Sequence, residues 1–238
     1  GAPTGHRPAA RARPSACSAR RLDLRRGARR RPGASLGGVG TGRAVVVYAT
    51  LFGTTARVAE LVAAELGALL GEDVPALDLA HADPSSLTGY ELLVLGTPTW
   101  NVGQLPPDLE LRLPGLEALD LRGRALALFG TGDQAGYPDT FLDAVGIVAE
   151  RLRRTGARPV GRWPADGYGF TASLALDGAE LLGLGVDEDN EPELTAGRVR
   201  DWVARVVAEA GLAARVSMAA DDNPASGARA GAAAGAVR

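Results

Sequence analysis

Near-continuous apolar runs recur along the middle of the chain, and each ends in glycine or another small residue. Such runs at 43–49, 90–96 and 124–130 are typical of strands buried on both faces. Weaker strands are expected at 74–79 and near 158–161. Between the runs, apolar residues return every three or four positions, which predicts amphipathic helices over 55–70, 139–154 and 195–210.

Strand and helix therefore alternate, and this order predicts a doubly wound α/β domain around a five-stranded parallel sheet. Ligands of such sheets bind beyond the carboxyl ends of the strands. The loops at 49–55, 97–105 and 131–138 are accordingly the places to search for a binding site.

The distribution of charge divides the 238 residues into three parts. Residues 1–40 carry ten Arg and one Asp, and residues 41–212 carry 13 Arg and 25 acids, a formal charge of −12. Residues 213–238 are rich in Ala and Gly. We expect a leader over 1–40, one folded domain over 41–212 and a disordered tail over 213–238, although a frayed helical extension fits the tail equally well.

The leader is rich in Arg, Ala, Gly, Pro and Ser, and it lacks the apolar segment of a secretory signal. Its composition is typical of an organelle transit peptide. The alternative is a disordered basic arm that binds polyanions.

Several functions are disfavoured by composition. Cys17 lies in the leader, and His6 and His81 are far apart, so the folded part lacks residues for a disulfide, a thiolate metal site or a histidine triad. Its acidity argues against nucleic acid and favours a basic protein partner. No apolar run approaches the ~18 residues of a membrane span, and a monomer is expected.

The first loop, Thr50 to Thr55, joins a strand to a helix, where exposed N–H groups and the helix dipole favour a phosphate. Its hydroxyls could add hydrogen bonds, or they could simply cap the helix. The loop has neither a Gly-Lys-Ser/Thr ending nor a G-x-G-x-x-G pattern, so it predicts neither a nucleoside-triphosphate loop nor a dinucleotide fingerprint.

Aromatic residues stand in the two other loops, Trp100 in the second and Tyr137 in the third. Each aromatic alone is more often a core or rim residue. Because the two follow neighbouring strands beside a phosphate-type turn, they favour a flat phosphorylated ligand, whose ring could stack on an aromatic for roughly 0.5–1.5 kcal/mol beyond its burial.

Four motifs give these loops a specific resemblance: TPTWNVG at 97–103, GDQAGY at 132–137, WPADGY at 163–168 and VDEDN at 186–190. With them, the chain from about 44 to 212 resembles a long-chain flavodoxin of cyanobacteria and algal plastids. The resemblance implies that FMN is the cofactor and that the segment 161–181 is the insertion that splits the last strand. It also implies a plastid stromal location for a chain with such a leader.

The same resemblance implies the role of each loop. The first loop would hold the FMN phosphate, Trp100 and Tyr137 would flank the isoalloxazine, and the 101–103 backbone would face flavin N5. Asp133 and the segment 137–142 would address the pyrimidine edge. The implied cofactor-binding residues are Thr50, Leu51, Phe52, Gly53, Thr54, Thr55, Thr99, Trp100, Asn101, Val102, Gly103, Thr131, Gly132, Asp133, Tyr137, Thr140 and Leu142.

Phe52 departs from the family pattern, Thr-x-Thr/Ser-Gly-x-Thr, which has a hydroxyl at that position. One side-chain bond to phosphate is therefore missing, worth ~1–2 kcal/mol if nothing compensates. Either Thr54 substitutes for it or the affinity for FMN is lower.

The expected function is a low-potential one-electron carrier, not an enzyme, and the resemblance implies photosystem I and ferredoxin-NADP reductase as partners. An FMN-dependent NAD(P)H-quinone reductase is the alternative on the same fold, but it would need open space over the flavin ring. A flavin-free signalling or scaffold domain is a third possibility. A receiver domain of that kind would need an acidic cluster after the first strand, where Ala49 and Thr50 stand.

Overall fold

The structure is a computed structural model that describes residues 42–212. The predicted leader over 1–40 and the predicted tail over 213–238 lie outside the described residues. The helices are α1 (Thr54–Leu70), α2 (Pro107–Glu117), α3 (Asp143–Leu152) and α4 (Thr195–Ala210). The strands are β1 (Gly42–Tyr48), β2 (Ala76–Asp78), β3 (Tyr90–Pro98), β4 (Ala125–Thr131), β5 (Arg158–Val160), β6 (Trp163–Pro164), β7 (Leu176–Asp177), β8 (Glu180–Leu181) and β9 (Leu184–Val186).

The central sheet is parallel, with the strand order β2-β1-β3-β4-β5. β4 has two partners on its outer edge, because Ala125–Ala127 pairs with β5 and Phe129–Thr131 pairs with β9. The fifth position of the sheet is thus shared by two short strands. This arrangement confirms the predicted five-stranded α/β architecture and the split of its last strand.

The segment between β5 and β9 forms a small antiparallel sheet of its own, in the order β6-β8-β7. Its strands are only two residues long, too short to stand alone, so the insertion must be held by contacts with the main domain. Two such contacts involve Tyr168, whose hydroxyl donates to the Gly185 carbonyl at 2.7 Å and whose ring lies under the Arg198 guanidinium at 4.4 Å.

Both faces of the sheet are covered, as the alternation along β1 illustrates. Ala44 and Val46 pack towards α1 and α4, whereas Val45 and Val47 pack towards α2 and α3. All four are at most 1% exposed. A strand covered on both faces must be apolar at every position, which explains why the three central strands are continuous apolar runs in the sequence.

The largest buried aromatic groups fix the outer edge of the sheet. The Phe129 and Trp202 rings meet edge to face with centroids 6.3 Å apart, and the Trp202 indole N–H donates to the Gly161 carbonyl at 2.7 Å. The Phe129 ring also needs glycine on β3, because a Cβ at Gly96 would lie 2.0 Å from it. The Gly at the end of the apolar run is therefore a packing requirement.

Two helices differ from the sequence expectation. α2 is not predicted above, since Pro106, Pro107 and Pro114 interrupt its pattern. α3 begins at residue 143 and not at 139, because Leu142 has a left-handed backbone with φ 60°, which cannot continue a helix. A 3-10 turn replaces its predicted end at 153–154. Within residues 42–212, every helix is too short or too polar to span a lipid bilayer.

Candidate functional site

A cavity of about 360 Å³ opens beyond the carboxyl ends of β1, β3 and β4. This is the edge at which ligands of parallel α/β sheets bind, and the volume lies in the usual range for ligand clefts. All three loops selected from the sequence reach it. Its lining comprises Thr50, Leu51, Phe52, Thr54, Thr55, Pro98, Thr99, Trp100, Asn101, Thr131, Gly132, Asp133, Tyr137, Glu188 and Asp189.

Backbone N–H groups without protein acceptors characterise the first loop. Gly53, at φ 87°, turns the chain into α1, and its N–H donates to the Thr50 hydroxyl at 3.0 Å. The next amide with an acceptor is Arg57, which donates to the Gly53 carbonyl. Within residues 42–212, the amides of Leu51, Phe52, Thr54, Thr55 and Ala56 have no acceptor. This concentration of donors at a helix N-terminus suits a bound phosphate.

The first and third loops are joined by a buried hydrogen bond between hydroxyls. Thr55 Oγ1 and Thr131 Oγ1 are 2.8 Å apart, and both residues are nearly inaccessible to solvent. Because Thr55 lies in the first turn of α1 and Thr131 ends β4, the contact fixes the donor-rich turn against the floor of the cavity.

The second loop is a tight turn that presents Trp100 to the cavity. Trp100 and Gln104 exchange two backbone hydrogen bonds of 2.8 Å, and the side-chain Nδ2 of Asn101 donates to the side-chain oxygen of Gln104 at 3.1 Å. Inside the turn, Asn101 and Gly103 have φ of 45° and 78°. The turn thus holds the indole at the cavity while the tip of the loop, with Val102 71% exposed, projects to solvent.

The third loop places Tyr137 on the cavity and is organised by the carboxylate of Asp133. This carboxylate accepts hydrogen bonds from the Ala135 and Gly136 amides and from the Asn190 side chain. The Gly136 and Asn190 bonds stabilise its charged form, so they lower the pKa of Asp133 below its ordinary value. Tyr137 is half exposed, with its ring available to a ligand.

A buried carboxylate outside the predicted site residues fixes the third loop by hydrogen bonds. Asp187 is 1% exposed and accepts hydrogen bonds from the Gln134, Asp189 and Asn190 amides. It follows β9, so it ties the last strand of the sheet to the loop that carries Tyr137. The signal for it was present, because the VDEDN motif surrounds it.

Two further acids on the cavity, Glu188 and Asp189, were also missed. Glu188 pairs with Arg57 at 3.3 Å and accepts a hydrogen bond from the Thr195 hydroxyl. Asp189 is exposed at the rim. These carboxylates give the cavity a negative border beside its N–H donors. In the part of the chain that the structure describes, no group of three or more acidic, His or Cys side chains is placed to hold a metal ion.

The structure brings twelve of the seventeen predicted residues to the cavity and leaves five off its lining. Gly53 shapes the turn, Val102 and Gly103 lie in the tip of the second loop, and Thr140 lies in a turn before α3. Leu142 is fully buried on the α2 and α3 side of the sheet.

Together the loops form a site for a ligand with an anionic end and a flat aromatic end. Backbone amides and hydroxyls are placed to bind the anionic end, and an indole and a phenol are placed to stack on the aromatic end. This donor set on a doubly wound parallel sheet defines a nucleotide-binding class of site without a triphosphate loop.

Comparison with known proteins identifies the family. The flavodoxin family profile matches residues 46–202. The chain is 43% identical over 166 residues to the flavodoxin of Synechococcus elongatus, which covers 69% of this chain and 96% of that protein. A flavodoxin of Nostoc sp. is also 43% identical over 166 residues, with 69% of this chain and 95% of that protein covered.

Among solved structures, the Fusobacterium nucleatum flavodoxin bound to flavin mononucleotide superposes with a TM-score of 0.65 at 26% identity. The match covers 70% of this chain and 98% of that one. The chain belongs to the flavodoxin family, whose members are electron-transfer flavoproteins and not enzymes.

Proposed function

We propose that the chain binds FMN in this cavity and functions as a low-potential one-electron carrier. The observation that carries the proposal is the row of unpaired amides in the first loop, placed on the same cavity as Trp100 and Tyr137. FMN has the matching chemistry, with a phosphate at one end and a flat ring at the other. The related Fusobacterium flavodoxin is bound to this cofactor, which supports the choice.

Each group in the site then has a physical task. The amides of Leu51, Phe52, Thr54 and Thr55 would donate to the phosphate, and the dipole of α1 would favour its charge. Trp100 and Tyr137, which line the same cavity, would stack against the flavin ring. Asp187 holds the third loop in position through its buried hydrogen bonds. When bound, FMN supplies the exchange of single electrons, so no general acid or base is required of the protein.

The acids on the cavity border favour a low potential. Asp133, Glu188 and Asp189 all line it, and added negative charge beside them is unfavourable. One carboxylate at about 8 Å, with an effective dielectric constant near 20, contributes roughly 2 kcal/mol. For one electron, ~1.4 kcal/mol corresponds to about 59 mV. The second one-electron reduction should therefore lie well below that of free FMN, and a redox titration in which this step is no lower than in free FMN would contradict the expectation.

The binding proposal is tested by titrating the apoprotein with FMN and following flavin absorbance and fluorescence. We expect one site per chain. Trp100→Leu should weaken FMN binding about tenfold, because the stacking and burial of one aromatic group are lost. Trp163→Leu is the matched control, since Trp163 lies in β6 outside the cavity lining, and it should leave the dissociation constant unchanged. Absence of any bound FMN in the unmodified protein would refute the proposal.

We also propose that the chain acts in the plastid stroma, between photosystem I and ferredoxin-NADP reductase. The Arg-rich, acid-poor composition of residues 1–40 and the similarity to cyanobacterial flavodoxins support this assignment. Its tests are import of the full chain into isolated plastids and light-driven transfer of electrons from photosystem I particles to the FMN-loaded protein. Failure of import with normal FMN binding would contradict the location alone.

A further inference from the structure

Phe52 is a large apolar side chain in an unexpected setting. It lies in the donor-rich first loop, lines the cavity and is 83% exposed. Its ring centroid is 5.8 Å from that of Trp100, with the planes inclined by 51°. The centroid distance lies within the range of interacting aromatic pairs, and the inclination falls between the stacked and edge-to-face arrangements. Phe52 therefore belongs, by contact, to the aromatic end of the cavity although its backbone belongs to the phosphate end.

The phosphate end is correspondingly poor in side-chain donors. The chain contains no lysine. Arg57, one turn into α1, is paired with Glu188. The hydroxyls of Thr55 and Thr131 bond to each other, so one of their two protons is committed to that contact. Besides the amides, the first loop offers the hydroxyls of Thr50 and Thr54, and Phe52 adds none.

We propose that Phe52 is a positioning and specificity residue of the FMN site, which supports Trp100 and shifts ligand affinity from the phosphate to the ring. This inference rests on the proposed function, because it assumes that FMN is the ligand. We therefore expect only a small difference between the dissociation constants for FMN and for riboflavin, which has the same ring system without a phosphate. The Phe52 ring contacts the Trp100 indole, whereas at position 52 the first loop offers no side-chain donor to a phosphate.

The test measures the dissociation constants of the apoprotein for FMN and for riboflavin, in a buffer free of phosphate and sulfate. In Phe52→Leu the aromatic contact with Trp100 is lost, and both ligands should bind about 3- to 10-fold more weakly, in parallel. Phe52→Tyr retains the ring, so both constants should stay within about twofold of the original values.

Phe52→Thr separates the two ends of the site. It loses the aromatic contact and gains a hydroxyl that can donate to phosphate. Riboflavin should bind more weakly, as in Phe52→Leu, while FMN recovers part or all of the loss. The ratio of the riboflavin constant to the FMN constant should therefore rise, by at most the about 3- to 10-fold loss that riboflavin shows, since a hydrogen bond to a charged group is stronger than one between neutral groups.

Leu111→Thr is the matched control, because Leu111 is 77% exposed on α2 and lies outside the cavity lining. It should change neither constant. Thermal melting of each apoprotein verifies that exposed substitutions leave folding intact. If Phe52→Leu alters neither constant, or if Phe52→Thr leaves the ratio unchanged while the unmodified protein binds FMN, this inference is wrong and the proposed function stands. If the unmodified protein binds neither flavin, both fail.

Discussion

Asp143 is a carboxyl group confined where the second loop, α3 and the insertion meet. It is 8% exposed, and its Oδ1 accepts the Leu174 amide at 2.7 Å. Its Oδ2 would lie 2.6 Å from a Cβ at Gly103, so the loop that carries Trp100 approaches it as closely as only glycine permits. Burial raises the pKa of Asp143 above its ordinary value, and the Leu174 hydrogen bond only partly opposes that shift.

A raised pKa in the folded state means that folding favours the protonated form. The corresponding stability is fully present below the unfolded pKa and declines as pH rises through the folded pKa. Asn cannot ionise and still offers an oxygen to Leu174. Asp143→Asn should therefore leave stability similar at about pH 3.5 and increase it relative to the unmodified chain towards pH 7. Urea unfolding of the apoprotein at both pH values measures the difference.

Asp133→Asn provides the contrasting control, because hydrogen bonds from Gly136 and Asn190 lower the pKa of Asp133. Its contribution to stability is present above the unfolded pKa and is lost as pH falls through the folded pKa. This substitution should therefore be most destabilising near neutrality and least so in acid. If the two variants respond to pH with the same sign, burial does not govern Asp143.

Residue by residue, the site could be predicted where a side chain follows a strand directly. Trp100 and Tyr137 follow β3 and β4 within a few residues, so the strand ends place them. Glu188 and Asp189 could not be placed in the same way, because β9 is three residues long and is separated from β5 by the insertion. Leu142 is predicted at the pyrimidine edge only through the family resemblance, and the sequence pattern shows neither its left-handed backbone nor its complete burial.

At the scale of elements, Gln134 connects the insertion to the third loop by hydrogen bonds. This residue is 6% exposed, its side-chain oxygen accepts the Gly169 amide at 2.6 Å, and its own amide donates to Asp187 at 3.0 Å. One buried residue therefore joins the third loop, the segment after β9 and the insertion. We expect that loss of these hydrogen bonds increases the mobility of the insertion and leaves the main sheet intact.

Gln134→Ala should leave the Gly169 amide without its acceptor and lower the free energy of unfolding by about 1–2 kcal/mol. Hydrogen exchange should accelerate over 161–183 and over 131–137, while amides of β1 and β3 remain protected. Thr171→Ala, an exposed truncation within the same insertion, is the control and should change neither quantity. Uniform acceleration across β1 and β3 would show that Gln134 supports the whole domain instead.

An element could be predicted from the sequence where its local apolar pattern agrees with its environment in the fold. β1, β3 and β4 are buried on both faces and α4 has a strict apolar stripe, so their local patterns and tertiary environments agree. α2 has its apolar residues at the right spacing, Leu109, Leu113 and Leu116, but Pro114 obscures a helix that only packing reveals. The strands of the insertion are two residues each, below any periodicity that a sequence can display.

At the scale of the whole molecule, the folded domain and the residues before it carry net charges of opposite sign. Residues 41–212 carry a formal charge of −12, and three of the acids stand on the cavity border. Under the proposed function electrons leave at this border, and a negative surface there would steer encounters with a positively charged partner face. Dissolved ions screen such an attraction over about 8–10 Å at 0.10–0.15 M salt. The rim acids should therefore influence association more than acids elsewhere.

The expected result is that the second-order rate of electron transfer between the FMN-loaded protein and ferredoxin-NADP reductase, its proposed partner, falls steadily as ionic strength rises. Asp189→Asn should flatten this dependence and slow the reaction at low salt, because Asp189 stands on the cavity border. Asp73→Asn removes the same charge at the amino ends of the strands, in the segment between α1 and β2, and should alter the slope much less. Stopped-flow measurements across a salt series give all three slopes. Equal slopes for the two variants would mean that only net charge matters, whereas a rate that rises with salt would exclude a positively charged docking face near the cavity.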